Sequence, residues 1–255
     1  MSTRRTFLLG TLGVAGALAI GWGVTPPRQR LTTREPLPAG PGEHPLNGWV
    51  VIGADGTVTV ALAKSEMGQG IATALARILA EELDADWARV AVRPAPIDPI
   101  YRNLATVVDG LPFHPDADSA VADAARWLTA KAMREMGVMM TGGSSSVKDL
   151  WLPMRQAGAS ARAMLVGAAA AGWGVDPAAC RTEAGAVIGP TGQRAGYGEL
   201  AAAAAAQPLP RDVALKALSA FRLIGQPAPR LEARAKVDGS ARFGIDARPE
   251  GLLHA

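Results

Sequence analysis

The sequence predicts an α+β fold in which helices pack on a mixed sheet. Val58 and Val60 alternate with threonines, which is the two-residue period of a half-buried strand. Apolar residues then recur at helical spacing over Ile71–Leu83, and a second alternating strand follows over Arg89–Arg93. This strand–helix–strand unit, together with a long helix predicted over Leu152–Trp173, favours α+β over a doubly wound parallel sheet.

Composition excludes several classes of protein. The 255 residues are 49% hydrophobic and 19% charged, which is enough apolar material for a packed core. The net charge is +3 and the basic residues are scattered along the chain, so no nucleic-acid surface is predicted. The single Cys180 excludes an internal disulfide or a cysteine-bound cluster, and we interpret it as a small apolar residue. His44, His114 and His254 lie far apart, so no metal site is predicted.

The first residues have the pattern of an export signal. Arg4 and Arg5 precede an apolar stretch over Phe7–Val24, which predicts a twin-arginine signal over residues 1–24 and a periplasmic protein. A signal-anchor or a chance arginine pair is the alternative interpretation. No clean A-x-A cleavage site follows, so the segment can remain as a membrane tether.

Changes in composition divide the rest of the chain. Residues 25–45 are rich in Pro, Arg and Gly and are predicted to form an extended linker. Residues 46–207 form the main predicted domain, whose first strand is expected over Leu46–Ile52. Residues 208–255 are predicted to be a linker and the truncated start of a further domain, with a strand over Ala241–Ala255 that lacks a partner.

Further elements follow from periodicity and turn residues. We expect a loop over Pro94–Pro115, a helix over Asp116–Met136 capped by Asp118 or Ser119, a strand over Thr182–Ile188 and a helix over Tyr197–Gln207. The apolar face of the Asp116–Met136 helix is predicted to consist of Val121, Ala125, Leu128, Ala132 and Met136. The inward face of the Leu152–Trp173 helix is predicted to consist of Ala157, Ala161, Met164, Leu165, Ala168 and Ala169.

A glycine-flanked turn between the strand and the first long helix is the first candidate binding site. Gly68 and Gly70 permit backbone conformations that side chains block, and Gln69 between them carries an amide. A helix that starts behind such a turn has free N–H groups that suit an anion such as phosphate. An ordinary strand–helix turn is the alternative interpretation.

The second candidate is a polar bend that combines glycine and hydroxyl groups. Gly142, Gly143, Ser144, Ser145 and Ser146 can present backbone N–H and side-chain O–H groups to a phosphate or a polar ring edge. A flexible Gly/Ser linker is the alternative, although structured segments are predicted on both sides.

Five stretches occur in an order that resembles one family. They are Ser65–Gly70, Thr141–Val147, Met154–Ala159, Phe221–Gly225 and Lys236–Asp246. Together they resemble the N-terminal part of the molybdopterin-binding large subunit of the molybdenum hydroxylases. The isoquinoline 1-oxidoreductase beta-subunit type is the nearest branch.

The resemblance implies a cofactor and a partner. Gly68, Gln69 and Gly70 would contact the pterin near molybdenum and its phosphate, and residues 142–146 would hold the dinucleotide part. The cofactor would be molybdopterin in its cytosine dinucleotide form. Electrons would leave through a small subunit with two [2Fe–2S] clusters, and the reaction would hydroxylate an aldehyde or an N-heterocycle with water as the oxygen source.

The sequence also departs from that family. The glycine-rich stretch that carries the family's catalytic glutamate does not occur, and Glu66 matches a different position, so no catalytic residue is assigned. The chain is therefore expected to be incomplete alone. The alternatives are a non-catalytic remnant, a scaffold for a separately encoded C-terminal half, or a generic phosphate-binding α/β domain.

Overall fold

A computed structural model describes residues 3–25, 29–210 and 212–252. Helix α1 (Thr3–Val24) covers the predicted signal segment, except for Met1 and Ser2, which lie outside the described residues. No helix in the described part of the chain is both long enough and apolar enough to cross a membrane.

A four-stranded mixed sheet is the larger of the two sheets in the described part of the chain. Strands β1 (Glu43–Asn47), β2 (Val50–Gly53) and β3 (Val58–Leu62) are antiparallel neighbours. Helix α2 (Ile71–Leu83) crosses from β3 to β4 (Val90–Pro94), which pairs parallel to β3. The mixed sheet and the predicted strand–helix–strand unit are therefore confirmed.

The prediction of one continuous strand over Leu46–Ile52 is wrong. The chain bends at Gly48, where the side-chain oxygen of Asn47 accepts a hydrogen bond from the Trp49 N–H at 2.9 Å. A Cβ at Gly48 would lie 2.6 Å from the Ile100 side chain and 3.1 Å from the Leu31 carbonyl oxygen, so the bend leaves little room for a larger residue. The stretch therefore forms the end of β1 and most of β2, and β1 already begins inside the predicted linker.

Helix α5 (Ser146–Trp173) packs on α2 and buries all six residues of its predicted inward face. It begins six residues before the predicted Leu152, although Pro153 lies inside it. Proline cannot donate to the carbonyl four residues earlier, which belongs to Asp149. The Arg30 guanidinium donates to that carbonyl at 3.2 Å instead, so the helix continues through the proline.

Gly158 sets the distance between α2 and α5. A Cβ there would lie 2.4 Å from the Leu79 carbonyl oxygen, so Gly158→Ala is expected to lower the free energy of unfolding by about 1–3 kcal/mol through overpacking. At Gly172 on the same helix, a Cβ would meet no described atom within 4 Å, so Gly172→Ala should be neutral or stabilise by up to about 1 kcal/mol. Urea denaturation of both variants tests the contrast, and equal effects would contradict it.

Helix α4 (Ala120–Met136) starts at the predicted cap Ser119, whose hydroxyl accepts from the Ala122 N–H at 3.2 Å. Its predicted apolar face is wrong, because Val121, Leu128 and Met136 are exposed. Ala122 and the basic side chains of Lys131 and Arg134 are buried instead. Those two side chains donate to carbonyl oxygens at the end of α1 and at Gln29, so polar contacts decide which side of the helix packs.

The predicted loop over Pro94–Pro115 contains the single turn α3 (Ala105–Val108) and buries Ile100 and Tyr101 against the core.

The predicted strand over Thr182–Ile188 is two strands, β5 (Arg181–Glu183) and β6 (Ala186–Ile188). Ala184 and Gly185 both have positive φ values and turn the chain between them. Strand β7 (Arg194–Gly196) completes this small sheet, and α6 (Tyr197–Ala205) follows.

The last segment is irregular, as predicted, apart from the short helix α7 (Ala233–Val237). The predicted strand over Ala241–Ala255 is wrong for residues 241–252, and residues 253–255 lie outside the described residues. The Asp246 carboxylate accepts from the Phe243 N–H at 2.9 Å, which favours a tight turn over an extended strand. Residues 222–224 are nevertheless fixed, because their N–H groups donate to the Glu81 carboxylate on α2.

Candidate functional site

The turn that joins β3 to α2 is closed by an acidic side chain. The Glu66 carboxylate accepts from the N–H groups of Gly68 at 2.8 Å, Gly70 at 3.0 Å and Ala72 at 3.0 Å. Burial alone would raise the pKa of Glu66, but these three donors hold it below its usual value. The expectation that the start of α2 has free N–H groups for an anion is therefore wrong, because Glu66 already occupies it.

Gln69 also stabilises this turn from within. Its side-chain oxygen accepts from the Met67 N–H at 2.5 Å, and its amide nitrogen donates to the Ser65 carbonyl at 2.9 Å. Gly68 and Gly70 have φ values of +98° and +82°, so both need the conformational freedom of glycine. Arg230 from the last segment donates to the Gly68 carbonyl at 2.6 Å, a contact that local sequence patterns do not predict.

The second bend opens directly into α5. Gly143 and Ser144 have φ values of +62° and +52°, and Ser146 is the first residue of the helix. Ser145 is buried, and its hydroxyl lies 2.8 Å from each of three groups: the side chains of Asn103 and Thr106 and the carbonyl of Gly142. Ser145 therefore shapes the bend, whereas Gly143 and Ser144 are exposed at its tip.

Direct contacts tie the two bends together. The Ser65 N–H donates to the Thr141 hydroxyl at 2.8 Å, and the Lys64 ammonium donates to the Met140 carbonyl at 3.3 Å. Lys64 also lies 3.0 Å from the Asp149 carboxylate at the start of α5. The residues that precede the two bends are thus in direct contact and form one continuous surface, called the wall, which consists of Lys64, Ser65, Met140 and Thr141.

A buried cluster of three charges supports this wall. Asp149 accepts from Arg30 at 3.1 Å and from Lys64 at 3.0 Å, and all three side chains are at most 8% exposed. Burial alone would raise the pKa of Asp149, but the two cations and the Leu104 N–H hold it below its usual value. Burial lowers the pKa of Lys64, an effect that Asp149 opposes. None of these three residues was predicted from the sequence, since Arg30 and Asp149 are 119 positions apart.

A cavity of about 570 Å³ lies against the joined residues. Lys64, Ser65 and Glu66 line one part of it, and Met139–Thr141 line another. None of the eight predicted binding residues is in its lining: Gly68, Gln69 and Gly70 follow the lining residues of the first bend, and Gly142, Gly143, Ser144, Ser145 and Ser146 follow those of the second. The structure thus brings the two bends to one cavity and places their predicted residues beside it.

Comparison with known proteins gives consistent matches. Residues 13–107 match the family model of a molybdopterin cofactor-binding domain. The chain is 32% identical to a membrane-bound aldehyde dehydrogenase [pyrroloquinoline-quinone] of Gluconacetobacter polyoxogenes and 32% identical to the beta subunit of isoquinoline 1-oxidoreductase of Brevundimonas diminuta, each over 99% of the chain. It is 28% identical to a nicotinate dehydrogenase subunit of Pseudomonas putida over 83% of the chain. The chain spans 28%, 33% and 15% of the lengths of these three relatives.

Proposed function

We propose that this chain, which belongs to the molybdenum hydroxylase family, forms part of the molybdopterin-binding large subunit of an oxidoreductase. The proposed reaction hydroxylates an aldehyde or an N-heterocycle with water as the source of oxygen. When bound, the cofactor supplies the oxygen-transfer and two-electron chemistry of that reaction.

The observation that carries the proposal is the junction of two glycine-bearing bends at one cavity. Gly143 and Ser144 lead into a 28-residue helix, and the first N–H groups of any α-helix have no partner within the helix. The start of α5 thus fits a phosphate group of the cofactor, whereas the start of α2 is already neutralised by Glu66. We assign residues 142–146 to the phosphate and Gly68–Gly70 to the pterin.

The proposal extends to the form of the cofactor, the partner and the location. We propose the cytosine dinucleotide form and a small subunit with two [2Fe–2S] clusters, since one cysteine in this chain cannot ligate such clusters. We also propose export by the twin-arginine route to the periplasm, where α1 can serve as a membrane tether. Because the chain spans at most 33% of these relatives, a scaffold role beside a separate C-terminal half is the alternative.

A second candidate ligand comes from one relative. The aldehyde dehydrogenase that matches over 99% of this chain has pyrroloquinoline quinone in its name. That quinone is also anionic and planar, so the same bends would suit it. The family model describes a molybdopterin domain, and for that reason molybdopterin is the first choice.

Metal and pterin analysis of the full-length gene product, purified from its own cell, tests the proposal. We expect molybdenum and an oxidised pterin derivative in the wild-type protein. Gly143→Val should lower the molybdenum content roughly tenfold, because a β-branched residue is strained at positive φ. Gly174→Val is the matched control, since Gly174 has a φ of +66° but lies at the far end of α5.

Two results would contradict the proposal. A wild-type protein without molybdenum or pterin would exclude molybdopterin as its ligand, and a quinone absorbance in that protein would favour the second candidate. Equal molybdenum contents in the Gly143→Val variant and the control would show that the bend at Gly143 does not take part in cofactor binding.

A further inference from the structure

Glu232 is a charged residue in the cavity wall whose acceptor atoms are unused. It immediately precedes α7 and lines the cavity together with Lys64, Glu66 and Thr141. Both of its carboxylate oxygens are shielded from solvent and accept no hydrogen bond from any group in the described part of the chain. The Lys236 ammonium at 3.5 Å and the Arg230 guanidinium at 4.0 Å balance its charge without donating to it.

This state is unfavourable for a carboxylate. An ionised carboxylate has acceptor capacity for about four hydrogen bonds, and losing water without gaining donors costs free energy. Nearby cations offset part of that cost through charge alone. A ligand with N–H groups that enters the cavity would therefore gain from pairing with Glu232.

The other residues that line the cavity indicate which class of ligand it can bind. Four other polar side chains on its wall already have partners: Lys64 pairs with Asp149, Arg93 pairs with Glu43, the Glu66 carboxylate accepts from three N–H groups, and the Thr141 hydroxyl accepts from the Ser65 N–H. Most of the remaining wall is apolar and includes Leu62, Ala72, Val92 and Met139. Such a site suits a flat, weakly polar ring with two adjacent N–H donors on one edge.

We propose that Glu232 is a binding residue that pairs, after a rotation within its side chain, with the amino–imino edge of a heterocycle in this cavity. The ligand class is a 2-amino-4-oxo pyrimidine ring, as in a pterin. This inference deepens the proposed function, because it assigns the ring of the cofactor to the cavity and its phosphate to the bend at Gly143 and Ser144.

Two fluorescent ring compounds test the pairing directly. Pterin has the 2-amino group, and lumazine has an oxygen in its place, which would repel a carboxylate. Full-length protein from a host that lacks the cofactor should bind pterin about tenfold or more tightly than lumazine in a fluorescence titration. Glu232→Gln should abolish that preference, because its amide offers one acceptor and can donate to the lumazine oxygen.

The control variant is Glu183→Gln, an exposed residue of the small sheet that should keep the preference. Equal binding of the two compounds by the wild type, no binding of either, or an unchanged preference in Glu232→Gln would overturn the inference. The outcome is independent of the metal analysis: molybdenum without a Glu232 effect refutes only this inference, whereas a Glu232-dependent preference in a protein that never acquires molybdenum refutes only the proposed function.

Discussion

Replacing Asp149 with asparagine is expected to lower the free energy of unfolding by about 3–5 kcal/mol, the cost of breaking a buried ion pair. The amide keeps the size of the carboxylate but removes the only negative charge between Arg30 and Lys64 in the described part of the chain. Both cations would then be buried without a counter-charge, and the amide N–H group would face them. Urea denaturation at neutral pH measures the loss.

Asp123→Asn is the control, because Asp123 is exposed and pairs with Arg126 only at the surface. It should change stability by less than about 0.5 kcal/mol. An Asp149→Asn protein as stable as this control would show that the cluster of Arg30, Lys64 and Asp149 does not stabilise the folded protein.

The pH dependence gives an independent check on Asp149. Its folded-state pKa lies below the value of about 3.9 in unfolded chains, so its contribution is complete above that value. The contribution is lost as the pH falls through the folded-state pKa. Between about pH 5 and neutral pH the stability difference between wild type and Asp149→Asn should therefore stay constant, and it should narrow as the pH falls into acid.

Local periodicity predicted the elements whose packing depends on apolar area. The unit of β3, α2 and β4 was predictable because its strand and helix patterns are clear over many residues. The inward face of α5 was predictable for the same reason. The packed face of α4 was not, since its buried Lys131 donates to carbonyl groups more than 100 positions away. No local pattern contains such a contact.

The candidate site was predictable to a similar extent. Glycine spacing located both bends, but it did not show what fills the start of α2. An acidic residue two positions before Gly68 was an available signal, since a carboxylate there can reach the free N–H groups of the next helix. The ties from Lys64 to Asp149 and from Arg230 to Gly68 join segments distant in sequence, so only the folded chain reveals them.

The second large effect is expected at Glu81, which fixes the last segment to α2. One of its carboxylate oxygens accepts from the N–H groups of Arg222 at 2.9 Å, Leu223 at 2.6 Å and Ile224 at 3.1 Å. The other lies 3.1 Å from the Lys216 ammonium, and the side chain is 1% exposed. Burial alone would raise the pKa of Glu81, but these donors hold it below its usual value, so the carboxylate is charged at neutral pH.

Glu81→Gln should lower the free energy of unfolding by about 2–4 kcal/mol. The amide keeps one acceptor oxygen, and its N–H groups would face either the backbone N–H donors or the Lys216 ammonium. We expect the loss to concentrate in the last segment, where Lys216, Arg222 and Arg230 would become sites of tryptic cleavage. Limited trypsin digestion followed by mass spectrometry measures this, with Glu183→Gln as an exposed control. Because Arg230 and Glu232 belong to the released segment, the same variant should also lose the preference for pterin over lumazine. Resistance to trypsin equal to that of the control would mean that Glu81 does not fix this segment, and that the cavity wall formed by Glu232 depends on other contacts.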